Sequence, residues 1–285
     1  MRGSPSLGST NVERRYRDVG PDLVADLERI RDLGVEHTDP ATGTVWEYVD
    51  LGKGPTTLFL HGMAGSYDIW FRQLLAMRDH QRVVAVTYPA ISNLKELTRQ
   101  LMGLLDSLEI ATVDVVGSSL GGYIAQYLVA NYPQHIIRAV FANTFPPNTQ
   151  IAREHAQPFQ AVKAMPADDV MARLRENADE NIVPAAGRSP LVRAYLLDQA
   201  AGRMSKTQFI ARYACVLDTF DPPDAGAKPL MLIEATNDPL VSPVLRELLK
   251  KTYPQAKKTS LGDVGHFPYL NKGPKYTALL EEFLS

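Results

Sequence analysis

Val115-Val116-Gly117-Ser118-Ser119-Leu120-Gly121-Gly122 is the stretch on which the reading of this chain turns. It fits Gly-x-Ser-x-Gly with Ser119, rather than Ser118, at the central serine. An apolar run, Val113–Val116, precedes it, and Ile124, Ala125, Leu128 and Val129 follow at helical spacing. A strand that runs into a helix through these glycines must turn so tightly that the serine is pushed outward with its Oγ exposed. The turn also opens a helix, so Ser119 and the Leu120 N–H stand at a positive dipole end, where an oxyanion is stabilised. The bare pattern arises by chance in roughly one chain in ten of this length. The strand before it and the helix after it are what mark a nucleophile.

Outward from this turn the same rhythm repeats. Short apolar runs, Thr57–Leu60, Val83–Val86, Val113–Val116, Ala139–Ala142 and Leu230–Ile233, alternate with helical patterns near 66–78, 94–109, 119–132, 243–252 and 273–284. Runs this apolar suit strands buried on both faces, and the alternation predicts a mostly parallel sheet with helices on both sides. Ahead of it, residues 21–33 carry a helical spacing, and two short strands flank the hairpin turn Asp39-Pro40-Ala41-Thr42-Gly43. Residues 1–20 are polar and read as a loose leader. Between the fourth and fifth runs the rhythm stops. Residues 147–227 hold helical patches and no strand, which reads as a cap inserted into a core of residues 21–146 and 228–285. Both ends of that insertion emerge at the sheet edge where α/β folds bind their ligands.

The composition excludes several classes. With 285 residues, 45% hydrophobic and 22% charged, the chain is a globular domain with enough apolar material for a sizeable core. Its formal charge of −2 leaves no basic stripe for nucleic acid. Lys250-Lys251 and Lys257-Lys258 read as the positive end of a surface helix and the turn after it. A single cysteine, Cys215, rules out an intrachain disulfide and suits a buried structural thiol in a reducing compartment. No apolar run is long enough to span a membrane, and Met1-Arg2-Gly3-Ser4-Pro5 lacks the apolar core of a signal peptide. The expected location is the cytoplasm, and the expected state a monomer or homodimer.

Three further elements complete the chemistry. Leu58-Phe59-Leu60-His61-Gly62-Met63 follows the first buried strand, which makes the Met63 N–H the second oxyanion donor beside that of Leu120. His61 reads as structural, an imidazole that pins the loop through backbone groups. Asp238, just past the strand Leu230–Ile233, lies at the carboxyl edge of the sheet. Its competitors fit less well: Asp221 precedes the strand, Glu234 ends it, and Asp263 is too near His266 in sequence to reach its far nitrogen. One strand earlier the turn reads Asn143-Thr144-Phe145, without a carboxylate. Finally, His266 lies in Leu261-Gly262-Asp263-Val264-Gly265-His266-Phe267-Pro268, late in the chain and after the acid. His37, His80, His135 and His155 have no matching context and read as surface residues.

From about residue 45 onward the chain resembles the α/β-hydrolase superfamily, whose catalytic order is serine, acid, histidine. Within it the likeness is to the maspardin-like branch, carried by Trp70–Ala76, Val83–Pro89, Gly117–Gln126, Asn143-Thr144-Phe145 and His266–Leu270. That branch resembles a hydrolase turned in places into a binding protein, with the histidine replaced. This chain keeps His266, and the departure favours activity.

The resemblance and the residues together imply an esterase-like serine hydrolase. Ser119 would be the nucleophile, His266 the base and Asp238 its orienting acid, with no metal or organic cofactor. Trp70, Phe145, Val241 and Phe267 are placed in the pocket wall, with Met165 and Met171 from the cap. Such a pocket suits a small or medium uncharged ester. A carbon–carbon bond hydrolase with the same triad and a non-catalytic binding protein stand as the alternatives.

Overall fold

The apolar runs all become strands in the computed structural model, which describes residues 14–147, 149–222 and 228–285. In chain order the strands are β1 (Val35–Thr38), β2 (Val45–Leu51), β3 (Thr56–Leu60), β4 (Arg82–Thr87), β5 (Val113–Ser118), β6 (Ile136–Ala142), β7 (Leu230–Glu234) and β8 (Lys257–Ser260). They form one sheet in the order β1-β2-β4-β3-β5-β6-β7-β8. β1 pairs antiparallel to β2 and β2 to β4, while every later pair is parallel. β3 and β5, at the centre, are buried along their whole length, as strands covered on both faces must be.

Ten helices accompany the sheet among the described residues, single turns aside. They are α1 (Pro21–Asp32), α2 (Phe71–Met77), α3 (Leu94–Ser107), α4 (Leu120–Asn131), α5 (Thr149–Ala164), α6 (Ala167–Asn177), α7 (Pro190–Asp198), α8 (Lys206–Leu217), α9 (Pro243–Thr252) and α10 (Gly273–Leu284). The period-2 alternation of the strands sorts them into two layers. Phe59, Val83 and Val116 point toward Leu27, Leu74 and Leu280, from α1, α2 and α10. Leu58, Val84 and Val115 point the other way, toward Leu101, Ile124 and Leu249, from α3, α4 and α9. Helix α3 begins where the Asn93 side chain accepts from the Glu96 N–H at 2.8 Å, a cap that fixes its first turn.

Helices α5 to α8 form the insertion between β6 and β7, and no strand occurs in it among the described residues. Two expectations need correcting. Lys257 and Lys258 do not sit in a turn but in β8, the outer edge strand. Its sequence Lys-Lys-Thr-Ser is mostly exposed and carries no apolar run to betray it. Lysines are what an edge strand needs to discourage pairing with another sheet. The leader expected over residues 1–20 lies outside the described residues as far as 13, but 14–20 are docked. Tyr16 and Val19 are buried, and Arg15 meets the buried Asp198 at 3.0 Å.

The strand-to-helix turn after β5 is packed directly against backbone. A Cβ on Gly121 would stand 2.0 Å from the Leu60 carbonyl oxygen, and one on Gly117 would stand 2.1 Å from that of Gly121. Both obstacles are backbone, which cannot swing aside. We expect Gly121→Ala to cost about 3 kcal/mol of stability through overpacking, read as a lower denaturant midpoint at unchanged slope.

Candidate active site

Parallel strands deliver their following loops to one edge, so the segments after β3, β5, β6, β7 and β8 meet at the carboxyl end of the sheet. Register fixes how closely. Leu60 pairs with Gly117 and Ser118 with Ala142, which sets the loop beginning at His61 and the turn at Asn143 on either side of Ser119. Ser119 has φ 56° and ψ −122°, a left-handed backbone that a non-glycine residue adopts at a cost. The conformation is over-determined by its surroundings: the Ser119 N–H donates to the Ala142 carbonyl at 2.9 Å and the Thr144 hydroxyl donates to the Ser119 carbonyl at 2.7 Å. A Cβ on Gly62 would come within 3.1 Å of the Ser119 Cβ, so the loop after β3 lies directly against the serine.

Asp238 and His266 meet at this edge, both buried. His266 Nδ1 lies 2.8 Å from Oδ2 and 2.9 Å from Oδ1 of Asp238. The carboxylate is itself held from three sides. The Leu240 and Val241 N–H groups donate to Oδ1 at 2.8 and 3.1 Å, and the Asn143 amide donates to Oδ2 at 2.9 Å. Burial pushes the Asp238 pKa up, but the His266 charge and these hydrogen bonds outweigh it and hold the carboxyl below its ordinary value. An ionised Asp238 can only accept, so His266 Nδ1 carries a proton, and in the neutral form of the ring Nε2 keeps its lone pair. The rival carboxylates point elsewhere: Glu234 pairs with Lys250 at 2.7 Å, and Asp263 accepts from the Thr236 hydroxyl.

Ser119 and His266 face the same cavity of about 320 Å³, although no hydrogen bond joins their side chains among the described residues. Phe145, Val241 and Phe267 are in its wall, as are Met63 and Gly62. Trp70 is not. It is fully buried in the layer below, its ring 4.3 Å from that of Tyr269 and 5.2 Å from that of Phe59. The 3₁₀ turn Tyr67–Trp70 sends it into the core instead. Met165 and Met171 are also absent from the wall. The insertion supplies instead Ile151, Leu174, Leu196, Gln199, Met204 and Phe209, with Glu154 and His155. His155 is exposed, as expected, but its Nδ1 lies 2.8 Å from the Tyr213 hydroxyl at the cavity. Helical spacing shows that such residues face something; it does not say whether that is core or cavity.

The loop after β3 is fixed by two buried groups. His61 Nδ1 lies 2.6 Å from the Gly62 carbonyl and must donate to it, and Nε2 accepts from the Tyr88 N–H at 3.3 Å. Burial, and then the nearby Arg212 charge, push the His61 pKa well below its ordinary value, so the ring is neutral. Arg212, on α8, donates from Nη1 to the Met63 and Gly65 carbonyls at 2.8 and 2.9 Å. Burial lowers its pKa to about 10, which still leaves it charged at neutral pH. The insertion thus holds the Met63–Ala64 and Gly65–Ser66 peptide units. Neither the Met63 N–H nor the Leu120 N–H donates to an acceptor among the described residues. Cys215 is buried, donates to the Ile91 carbonyl at 3.4 Å, and has its thiol pushed up to about 12 by burial, which makes it inert. No group of three or more metal-ligating side chains occurs among the described residues, nor any helix long and apolar enough to cross a membrane.

The profile of the alpha/beta hydrolase family matches residues 57–276, which take in the strand ahead of the serine turn and everything through His266. The chain belongs to this family. Among its relatives, human maspardin is 25% identical over 241 residues, covering 81% of this chain and 76% of its own. The mouse sn-1-specific diacylglycerol lipase ABHD11 is 24% identical over 255 residues, covering 81% of each. Among solved structures, the enol-lactonase from Burkholderia xenovorans LB400 superposes with a TM-score of 0.74. It is 20% identical and covers 88% of this chain and 99% of its own, which establishes a shared fold. This α/β-hydrolase carries its helical insertion between β6 and β7, within the stretch that the family profile matches.

Proposed function

We propose that this α/β-hydrolase cleaves a small or medium, largely apolar carboxylic ester through an acyl-enzyme. One observation carries the reading: His266, held by Asp238, and the outward-turned Ser119 line a single cavity. His266 Nε2 takes the Ser119 proton as Oγ attacks the ester carbonyl. The oxyanion so formed is met by the Met63 and Leu120 N–H groups, each such donor contributing about 3 kcal/mol in the transition state. His266 then passes its proton to the departing alcohol, and the acyl group stays on Ser119. Water, deprotonated by the same nitrogen, attacks the acyl-enzyme and releases the acid. Asp238 keeps the productive tautomer and stabilises the imidazolium.

The insertion acts in this reading as a cap. It supplies most of the apolar wall, and through Arg212 it steadies the loop that presents the Met63 donor. The cavity volume is at the lower end of the range for small-ligand sites, which suits a compact ester better than a polymer. The name of the diacylglycerol lipase relative points to ester chemistry as well. Retention of His266 speaks for turnover over a purely binding role.

The test is covalent capture. A fluorophosphonate should label the folded protein once, and mass mapping should place the label on the peptide containing Ser119. Short p-nitrophenyl esters should turn over. A folded protein with neither label nor turnover removes the proposal.

A further inference from the structure

Resting on that reading of the cavity, we infer that Gln199 is its specificity determinant, selecting an ester that carries a hydroxyl as a hydrogen-bond donor on its otherwise apolar body. Asp68 is fully buried beneath the insertion. Arg31 and Arg203 reach its Oδ2 at 2.7 and 3.2 Å. Burial pushes its pKa up, but these two charges, with the Ser66 and Tyr195 hydroxyls, bring it below the ordinary carboxylate value. Asp68 is therefore ionised and can only accept.

Its other oxygen, Oδ1, takes both hydroxyl protons, from Ser66 Oγ at 2.5 Å and from Tyr195 Oη at 2.5 Å. Burial and the Asp68 charge hold the Tyr195 hydroxyl well above its ordinary value, so it does not lose its proton. Each hydroxyl has a single proton, and both are committed. What the two oxygens offer to anything else is lone pairs.

Gln199 stands over those lone pairs. Its Nε2 lies 2.9 Å from Ser66 Oγ and 3.0 Å from Tyr195 Oη. Side-chain amides can be drawn in either of two orientations, and here the network leaves one. Turning Oε1 toward Ser66 and Tyr195 would set an acceptor against two acceptors, or would take the hydroxyl protons away from a buried carboxylate. The amide nitrogen must face the hydroxyls, so Oε1 must face away. Oε1 is buried and has no partner among the described residues. Gln199 is also part of the wall of the cavity that holds Ser119 and His266. It sits in the widened turn Gln199–Arg203 that follows α7.

A buried acceptor without a donor is costly, and a ligand that supplies the donor recovers the cost. The acceptor is also rigid, because its orientation is imposed by an ion-paired carboxylate two hydrogen bonds away. Sites built in this way reject the analogue lacking the donor far more strongly than apolar pockets reject a missing methylene. Leu174, Leu196, Met204 and Phe209 line the same wall, and a hydroxyl set against them would be disfavoured. The remaining polar groups of the insertion at the cavity are Glu154, His155, Asn177 and Tyr213. Position along the substrate is thus part of the selection.

The experiment uses non-hydrolysable methyl ketones in place of esters, so that it reads binding without turnover. Straight-chain ketones of four to eight carbons are each paired with counterparts carrying one hydroxyl at successive carbons. Their affinities for the full chain are measured by calorimetry. The wild type should bind one hydroxylated position at least about tenfold more tightly than the plain ketone and than the other positions. Gln199→Leu should reverse that preference. Tyr195→Phe, which frees the amide to turn, should reduce it and serves if Gln199→Leu does not fold. No preferred hydroxyl position in the wild type, or a preference unchanged in the folded variants, overturns the inference. Fluorophosphonate labelling of Ser119 on the same samples reports separately on the acyl-transfer reading. A labelled protein without hydroxyl preference sinks only the role of Gln199. An unlabelled protein that still prefers the hydroxylated ketone keeps that role and sinks the chemistry.

Discussion

On the proposed acyl transfer, Ser119→Ala is expected to lower kcat for a short ester by about 10⁶, His266→Ala to do the same, and the double variant to lose no more. The equality is the informative part. Without the serine there is no oxygen for His266 to deprotonate, and without the histidine the serine proton has no acceptor. Each single change therefore removes the whole nucleophile, and the second finds nothing left to remove. Residual turnover above the water rate should persist, since the Met63 and Leu120 N–H groups still polarise a bound carbonyl. Folding should survive the serine change. The backbone at 119 is held by the Ala142 carbonyl and the Thr144 hydroxyl, neither of which touches the Ser119 side chain. Single-turnover kinetics on both variants and the double variant, with near-ultraviolet dichroism as the folding check, measure this. A loss below a hundredfold in Ser119→Ala would move the activity to another site.

The contrast between what the chain announces and what it conceals follows from range. Strands such as Val113–Ser118 declare themselves because burial on both faces demands an unbroken apolar run. The serine turn declares itself because a Cβ on either Gly117 or Gly121 would stand about two ångströms from backbone oxygen. β8 is silent for the opposite reason: an outer edge strand is built from lysine, threonine and serine. Trp70 misleads because a large aromatic beside a site is as useful to the core as to a pocket, and only the 3₁₀ turn before α2 decides between them. Gln199 and Arg212 could not be found at all. Their meaning lies in partners far along the chain, Ser66 for one and the Met63 carbonyl for the other. No local spacing encodes such a pairing. Asp238 falls between these cases, being reachable by excluding other carboxylates but defined by its contacts.

Those contacts make Asp238→Asn the sharpest probe of the pair. It is expected to cut kcat by about 10⁴ while the fold stays intact. The Leu240 and Val241 N–H groups both donate to Oδ1, so the amide of D238N must keep its oxygen there and place its nitrogen where Oδ2 stood. That nitrogen donates. It stands 2.8 Å from His266 Nδ1, against 2.9 Å for the retained oxygen, so the ring now has a donor as well as an acceptor beside Nδ1. Whenever Nδ1 accepts from the new donor, the ring carries its proton on Nε2. His266 would then present N–H to Ser119, the wrong tautomer for a base. On the other side it meets the Asn143 amide, whose oxygen is buried without a partner among the described residues. Asn143 can turn its amide over and accept, which repairs the packing and explains why stability should hold at neutral pH. Acid stability supplies the second readout. A carboxyl with a lowered folded pKa contributes stability that is fully present above its unfolded value of about 3.9. That contribution is lost as pH falls through the lower folded value. D238N lacks this titration, so between those two values its stability should decline less steeply than that of the wild type. Denaturant midpoints from pH 6 downward, set beside kcat at neutral pH, test both halves. A variant with near-normal kcat would show that another group orients His266.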